Sequence, residues 1–587
     1  MAFARAEALG NKPLLWAKRE GAWHALGWAE TAEAVRNLAG GLVALGLEPG
    51  DRVALVSENR PEWVIADLAV MAAGGITVPA YTTNTAADHR HILDNSGARF
   101  AIVSTRALAE RLLAAACQAD HTPVVVAIEP PRLAQSSGVR LVAWSEAMAL
   151  GADRADEVAA RVAALRRGGT ACLIYTSGTG GAPKGVMLSH GAILANCQGA
   201  IRLLAQLGIG DDVFLSFLPL SHAYEHTAGL FLPLTIGAQI YYAEGIDQLG
   251  ANLIEVRPTL MTAVPRLYET MRARILRGIE RQGGLRARLF ARCVALGSRR
   301  AEGGRLGLLA KVADLFLDRL VRAKVRARFG GRLKAMVSGG APLAYDVGLF
   351  FTALGVRVLQ GYGQTEAAPV VSCNPPARVK LDSVGPPLEG VEVRIAADGE
   401  ICVRGELVMQ GYWNDAEATA NAIGADGWLH TGDIGEIDGD GYLRITDRKK
   451  DIIVNSGGDN IAPQRIEGLL TLQPEIAQAM VWGDRRPHLV ALLVPAEDWA
   501  MAWARSHGHP ADLAALAALP DFRRALGDAV DRVNRTVSAI EKIRRFAAVA
   551  QPFTVDNSML TPTLKIRRHV IRQVHADTLA GLYDERR

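Results

Sequence analysis

The sequence predicts an α/β protein: a large N-terminal domain of layered α/β subdomains with a small β-barrel-like subdomain, and a smaller C-terminal α/β domain. Three observations lead there. Strand-like and helix-like segments alternate along the first part of the chain, as in parallel α/β layers. Near residue 385 the pattern turns to period-two alternation broken by Gly and Asp turns. A charge cluster at 447–451 then precedes a tail of about 140 residues with its own strands and helices. At 587 residues the chain is longer than one typical domain.

The elements follow in order. Arg52–Val56 reads as a strand after the Pro49-Gly50 turn, Glu62–Ala73 as a helix, and Phe100–Val103 as a further strand. Ala171–Tyr175 reads as a buried strand, and the rhythm resumes with strands near 213–217, 239–242, 335–338 and 356–359. Between Arg266 and Phe329 lies a long helical region, with Leu267, Met271, Ile275 and Ile279 on one apolar face. Val391–Ile395 and Glu400–Arg404 alternate at period two and suit a small antiparallel sheet or barrel. Ala479–Trp482 and Leu489–Val494 are strands of the tail. The boundary is expected at the charge cluster, which divides the chain into 1–447 and 448–587.

Hydrophobic residues make up 49% and charged residues 21%, ordinary values for a globular protein. A net charge of +4 gives no reason to expect a nucleic-acid partner. The charge is uneven: residues 266–334 hold 19 Lys/Arg against 5 Asp/Glu, a local +14. Such a stretch suits either a solvated helix face or peripheral contact with an anionic membrane surface, such as the inner membrane face. The six cysteines (117, 172, 197, 293, 373, 402) form no Cys-x-x-Cys or Cys/His cluster, which argues against zinc and a disulfide framework and for a reducing cytoplasm. No signal peptide is visible, and no apolar run approaches the ~18 residues that span a bilayer.

Residues 175–185 read Tyr-Thr-Ser-Gly-Thr-Gly-Gly-Ala-Pro-Lys-Gly. Glycines let a backbone curl so that its N–H groups face a phosphate. Thr176, Ser177 and Thr179 add hydroxyls, and Lys184 adds a charge on a flexible stem. A strand running into such a loop is a polyphosphate cradle, although Gly-Lys-Ser/Thr is absent and this is not the Walker loop. Ser338-Gly339-Gly340-Ala341-Pro342 follows a strand and allows close approach of a flat ligand, as an ordinary strand-to-helix turn also would. In Gln360-Gly361-Tyr362-Gly363-Gln364-Thr365-Glu366 the ring suits stacking on a base, Thr365 a phosphate and Glu366 a hard cation. The bland alternative is a turn with a helix-capping Thr. Asp433, in Trp428-Leu429-His430-Thr431-Gly432-Asp433, pairs with Arg448 to suit a ribose. His222 closes Leu218-Pro219-Leu220-Ser221-His222. Lys565 follows Thr561-Pro562-Thr563-Leu564 just ahead of an amphipathic segment.

These motifs, with Asp447-Arg448-Lys449-Lys450-Asp451, occur in the order seen in acyl-adenylate-forming enzymes, and the resemblance spans about residue 10 to about 580. That superfamily includes acyl-CoA synthetases, nonribosomal adenylation domains and luciferases. Three further stretches resemble its long-chain fatty acyl-CoA synthetases: Leu-Pro-Leu-Ser-His-Ala-Tyr-Glu at 218–225, Val-Pro-Arg-Leu-Tyr-Glu at 264–269, and Ser-Gly-Gly-Asp-Asn-Ile-Ala-Pro-Gln at 456–464.

The resemblance implies a site. Thr176, Ser177, Gly178, Thr179, Gly180 and Lys184 would wrap the ATP phosphates, with Thr176 and Glu366 on Mg²⁺. Gly339, Gly340, Ala341, Pro342, Gln360, Gly361, Tyr362 and Gly363 would hold adenine, Thr365 would touch the α-phosphate, and Asp433 and Arg448 would hold the ribose. His222 would close the site beside the acyl carboxylate, and Lys565 would reach the α-phosphate and carboxylate during adenylation. Lys450 matches the family's hinge. Gly457 and Gly458 would border the CoA channel once the small, mobile domain rotates. Two positions depart from the pattern: Gly180 stands where most relatives have a second threonine, and Val454 where some have a lysine.

The implied activity is ATP-dependent conversion of a long-chain fatty acid to acyl-AMP, then transfer to CoA with release of AMP. Alternatives are a fatty acyl-AMP ligase that loads a carrier protein, and an inactive nucleotide- and lipid-binding relative. A carboxylate attacking an anionic α-phosphorus needs added positive charge, and Mg²⁺, Lys184 and Lys565 would supply it.

Overall fold

The computed structural model describes residues 1–131, 138–176, 182–449, 451–457, 459–561 and 566–584. Eight strands carry or frame many of the residues singled out above: β1 (Thr170–Thr176), β2 (Lys184–Ser189), β3 (Ala335–Ser338), β4 (Val358–Gly363), β5 (Val370–Cys373), β6 (Gly411–Tyr412), β7 (Leu429–Ile437) and β8 (Leu443–Arg448).

One eight-stranded sheet runs, edge to edge, β6, β2, β1, Ile76–Ala80, Arg52–Val56, Phe100–Val103, Val124–Ala127 and Leu141–Ala143. From β1 to the far edge its pairings are parallel, and β1–β2 and β2–β6 are antiparallel. Central strands such as Ile76–Ala80 and Phe100–Val103 are buried along their whole length. That is why Phe100–Val103 reads as a continuous apolar run. A second eight-stranded sheet runs β5, β4, β3, Leu260–Ala263, Val213–Ser216, Gln239–Tyr242, Pro13–Arg19 and Ala22–Gly27, antiparallel only at its two ends. The period-two segment forms a four-stranded antiparallel sheet, Glu392–Ile395, Glu400–Arg404, β7 and β8.

Beyond it lie a two-stranded hairpin (Ile453–Val454 with Asn460–Ile461) and a three-stranded sheet of Ile476–Trp482, Leu489–Pro495 and Ile543–Ala548. The cores divide in the same way. The buried members of three apolar clusters fall within residues 6–443, and those of two others within 453–579.

Two expected elements shift. The strand expected at 356–359 is β4, which starts at Val358 and continues through Gly363 because β5 returns antiparallel beside it. The helix expected from Glu62 runs Pro61–Ala72, with proline in its first turn. The basic region forms α1 (Pro265–Gln282), α2 (Gly284–Ala301) and α3 (Leu308–Leu317). On α1, Leu267 is buried, and Met271, Ile275 and Ile279 pack against the same core, as their four-residue spacing predicts. Among the described residues no helix is long and apolar enough to cross a membrane.

Candidate functional site

The phosphate-loop motif sits at the end of a β-hairpin, with Thr176 opposite Lys184 in the β1–β2 register. Ser177, Gly178, Thr179 and Gly180 between them lie outside the described residues, as do Lys450, Gly458 and Lys565. The returning limb is tied down where His91 Nε2 meets the Pro183 carbonyl at 2.8 Å. The Lys184 ammonium is 2.9 Å from Asp415 Oδ2 and lies over the Tyr412 ring, 5.3 Å from its centroid. Tyr412 is held there because β6 pairs with β2, Tyr412 opposite Val186. Its hydroxyl donates to Glu366 Oε1 at 2.9 Å. One phenol therefore joins the cation of the loop to the carboxylate of the Tyr-Gly-Gln-Thr-Glu motif. Burial and then Glu366 raise the Tyr412 hydroxyl above its ordinary range, so it stays a donor. Asp415 is held below the usual carboxylate range by the Ala418 N–H and then by Lys184.

A second group forms around Asp433. The Tyr362 hydroxyl donates to Asp433 Oδ2 at 2.6 Å, and Arg448 Nε lies 3.2 Å from Oδ1. Asp433 and Arg448 face each other across β7–β8, which explains a pairing of residues fifteen apart in sequence. Burial and then the Asp433 charge raise the Tyr362 hydroxyl, so it too remains protonated. Asp433 is buried, while Arg448 is 40% exposed and keeps part of its guanidinium at the surface. The glycines around Tyr362 serve the backbone. A Cβ at Gly363 would overlap the Pro369 carbonyl, and one at Gly361 would come within 3.0 Å of the Ser372 carbonyl oxygen. Thr365 opens the short turn Thr365–Ala367, four residues before the Pro369 carbonyl that accepts the Gln364 N–H at 3.0 Å.

The third group lies after the strand Val213–Ser216. His222 Nδ1 accepts the N–H of Tyr224 at 3.1 Å, so a neutral ring carries its proton on Nε2. The Tyr224 ring packs on Gly339, where a Cβ would come 3.0 Å from Cζ, and its hydroxyl donates to the Val337 carbonyl at 2.9 Å. His222 and the Gly-Gly-Ala-Pro turn are thus joined through Tyr224. Gly340 has φ +82°, the left-handed conformation that suits glycine, and Ala341 and Pro342 are exposed beyond it. Glu225, next in sequence, is fully buried and accepts from Ser216 at 2.6 Å and Thr262 at 2.5 Å. Burial pushes its carboxyl up to about 7 against those two hydroxyls.

The residues flanking position 450 face opposite ways. Lys449 Nζ pairs with Asp398 at 2.7 Å and Glu400 at 3.0 Å, on the four-stranded sheet side. Asp451 accepts from Gln464 at 2.7 Å and lies 3.9 Å from Arg568, both in the C-terminal part. Gly457 is exposed in the 453–461 hairpin and donates to Asn455 Oδ1 at 2.9 Å.

Three groups thus converge from sequence-distant motifs: Thr176, Lys184 and Glu366; Tyr362, Asp433 and Arg448; and His222 with Gly339. Tyr412, Asp415, Tyr224 and Glu225 were not expected in them. Gly411-Tyr412 is a two-residue strand with no periodicity to read, and its partner is fixed only by β2. Tyr224 and Glu225 adjoin the His222 motif, and their neighbour signal was there to be used. Among the described residues no cluster of three or more His, Cys, Asp or Glu could hold a metal. Glu366, whose carboxylate accepts from Tyr412, is an oxygen ligand of the type a hard cation takes, and such a cation would draw most of its oxygens from a polyphosphate and water.

Known proteins resemble this chain along nearly its whole length. The model of the AMP-binding enzyme family matches residues 3–413, and that of the AMP-binding enzyme C-terminal domain matches 450–587. The long-chain-fatty-acid--CoA ligase FadD15 of Mycobacterium tuberculosis is 36% identical over 577 residues, 96% of this chain and 93% of that protein. The peroxisomal long chain acyl-CoA synthetase 6 of Arabidopsis thaliana is 33% identical, over 96% of this chain and 82% of that protein. Among solved structures, the adenylation domain of a Mycobacterium chelonae carboxylate reductase superposes with TM-score 0.75 at 21% identity, covering 99% of this chain and 90% of that one. The Bacillus subtilis o-succinylbenzoate coenzyme A synthetase in complex with AMP superposes with TM-score 0.69 at 22% identity, covering 97% of each chain.

Proposed function

The chain belongs to the AMP-binding enzyme family, and from that premise we propose that it is a long-chain fatty acid–CoA ligase. It activates the fatty acid with ATP to acyl-AMP and passes the acyl group to CoA. The observation that carries this reading is a pair of tyrosine-centred contacts, Lys184 and Glu366 on Tyr412 and Asp433 on Tyr362, the first of them at the base of a hairpin whose loop sequence is rich in Gly and hydroxyl residues.

The residues act as follows. Tyr362 packs against adenine, with Asp433 and Arg448 on the ribose hydroxyls; the Tyr362–Asp433 hydrogen bond sets the angle between ring and carboxylate. The loop after Thr176 and Lys184 take the β- and γ-phosphates, the leaving pyrophosphate. Bound Mg²⁺ neutralises phosphate charge, and Glu366 and Thr176 are the residues that would hold it; Tyr412 keeps the Glu366 carboxylate aimed. His222 offers an Nε2 proton beside the acyl carboxylate. Lys565 adds charge at the α-phosphate, so the carboxylate oxygen bonds to phosphorus as the pyrophosphate oxygen departs. The thiol of CoA then attacks the acyl carbon and AMP leaves; no enzyme nucleophile is needed. Residues 1–447 bind ATP and acyl chain, and 448–587 supply Lys565 and, after rotation at Lys450, the Gly457-Gly458 border of the CoA channel.

The test is a panel of fatty acids of graded length with ATP, Mg²⁺ and CoA, in which acyl-CoA and AMP are measured directly. AMP and acyl-CoA forming in equal amounts, with a long-chain optimum, is the expected result. Acyl-AMP accumulating without acyl-CoA would remove CoA as the acceptor.

A further inference from the structure

Helix α3 turns most of its large apolar side chains outward, with Leu317 alone of them buried. Its protein-facing side carries Asp314, buried between Arg322 at 2.6 Å and Arg300 at 2.7 Å. Its other side, continued through the wider turn Asp318–Arg322, carries Leu308, Leu309, Val312, Leu315, Phe316 and Leu320, each between 51% and 88% exposed. Spacings of one, three and four residues place these six on a continuous helical stripe. Scattered apolar residues on a surface are ordinary, but a contiguous stripe marks an interaction site.

The ion pairs fix which side faces out. Arg322 is fully buried and also donates to the carbonyls of Ala353 at 2.7 Å and Cys293 at 3.3 Å. Turning α3 over would break that network and leave a buried arginine unpaired, a severe cost. The apolar stripe is therefore held outward by polar anchors. Around it the surface is cationic: Arg299, Arg305, Lys311, Arg319 and Lys324 are all exposed. Two of the five acidic residues between 266 and 334, Asp314 and Asp318, are already paired with Arg300, Arg322 and Arg326.

We propose that α3 and its basic surround form a docking site for an anionic lipid surface, with α3 lying in the plane of the interface and its leucines and phenylalanine inserted among the acyl chains. Charge decides the occupant. Two copies pressed together at this face would bring a pair of strongly positive surfaces into contact. Anionic headgroups neutralise the arginines while the hydrocarbon beneath takes the apolar stripe. With ten residues, α3 is far too short to span a bilayer and suits an in-plane position.

The test uses the full chain without nucleotide or fatty acid, so its outcome is independent of the proposed reaction. Co-sedimentation is measured with phosphatidylcholine vesicles and with phosphatidylcholine/phosphatidylglycerol vesicles, for wild type and the double variant L309E/F316E. Wild type is expected to bind the anionic vesicles, less so as salt rises, and the variant at least ~10-fold more weakly. The variant should keep wild-type acyl-CoA formation from a soluble shorter fatty acid, which shows that it is folded. In F316W, tryptophan emission should shift to the blue on vesicle binding and be quenched by brominated lipid. Equal binding of the variant, equal binding to neutral vesicles, or no binding by wild type overturns the proposal. So does a wild-type dimer in sedimentation velocity that L309E/F316E dissociates, because a second copy would then cover the stripe.

Discussion

The sequence offers Lys184 as a charge on a flexible stem for phosphate, and the structure pairs it with Asp415 at 2.9 Å. Both groups are substantially exposed, so the pair is weak and screened, and a triphosphate bound as proposed would displace Asp415. Asp415 is then a competitor of ATP for the lysine. Asp415→Asn should lower the KM for ATP by about threefold or less, with kcat little changed. A raised KM would instead make Asp415 the residue that positions Lys184. Glu225 gives a pH-dependent prediction. Its folded carboxyl titrates near 7 rather than near 4.5, so between those values the folded protein holds a proton that the unfolded chain has lost. Raising pH through that window costs the folded state up to roughly 3 kcal/mol at this one group, and none of the cost is present below it. Glu225→Gln, whose amide can still bond two rotatable hydroxyls, removes the term. Melting temperature should fall more steeply from pH 5 to pH 8 in wild type than in the variant; parallel curves would rule this out.

At the level of elements, turn residues and apolar runs located strands such as Arg52–Val56 and Phe100–Val103, because strands buried on both faces are apolar nearly throughout, while others such as Pro13–Arg19, Leu260–Ala263 and Ile543–Ala548 were not read. Less was legible where elements are short or paired across long sequence distance. β6 has two residues and joins β2 more than two hundred positions upstream, so nothing local announces it. The glycines that frame Tyr362 also serve the backbone, and Gly363 is required because the β5 backbone passes against it. Gly363→Ala should therefore act through stability. Its Cβ would overlap the Pro369 carbonyl, and such overpacking typically costs about 1–3 kcal/mol. A lowered melting temperature is expected, and an unchanged one would mean that β4 and β5 separate easily.

Across the whole molecule, the Asp447–Asp451 cluster was read as a boundary from charge density alone. Lys449 pairs with Asp398 and Glu400, and Asp451 with Gln464 and Arg568, so the residues flanking position 450 hold partners in opposite parts of the chain. If the C-terminal part delivers Lys565 for one half-reaction and withdraws it for the other, the two steps separate by mutation. Lys565→Ala should lower adenylation on the order of 10²–10³-fold while thioesterification of supplied acyl-AMP stays near wild type. Equal loss of both would remove Lys565 from that role. The amino-acid sequence by itself determined the α/β class, the order of the chemical motifs and the basic stretch at 266–334, because periodicity, glycine-rich loops and charge are local properties of a chain. Only the tertiary structure decided which motifs meet at Tyr412 and Asp433, and which side of α3 faces outward. Those depend on hydrogen bonds and ion pairs between residues distant in sequence, whose energy appears only once packing has brought them together and excluded water.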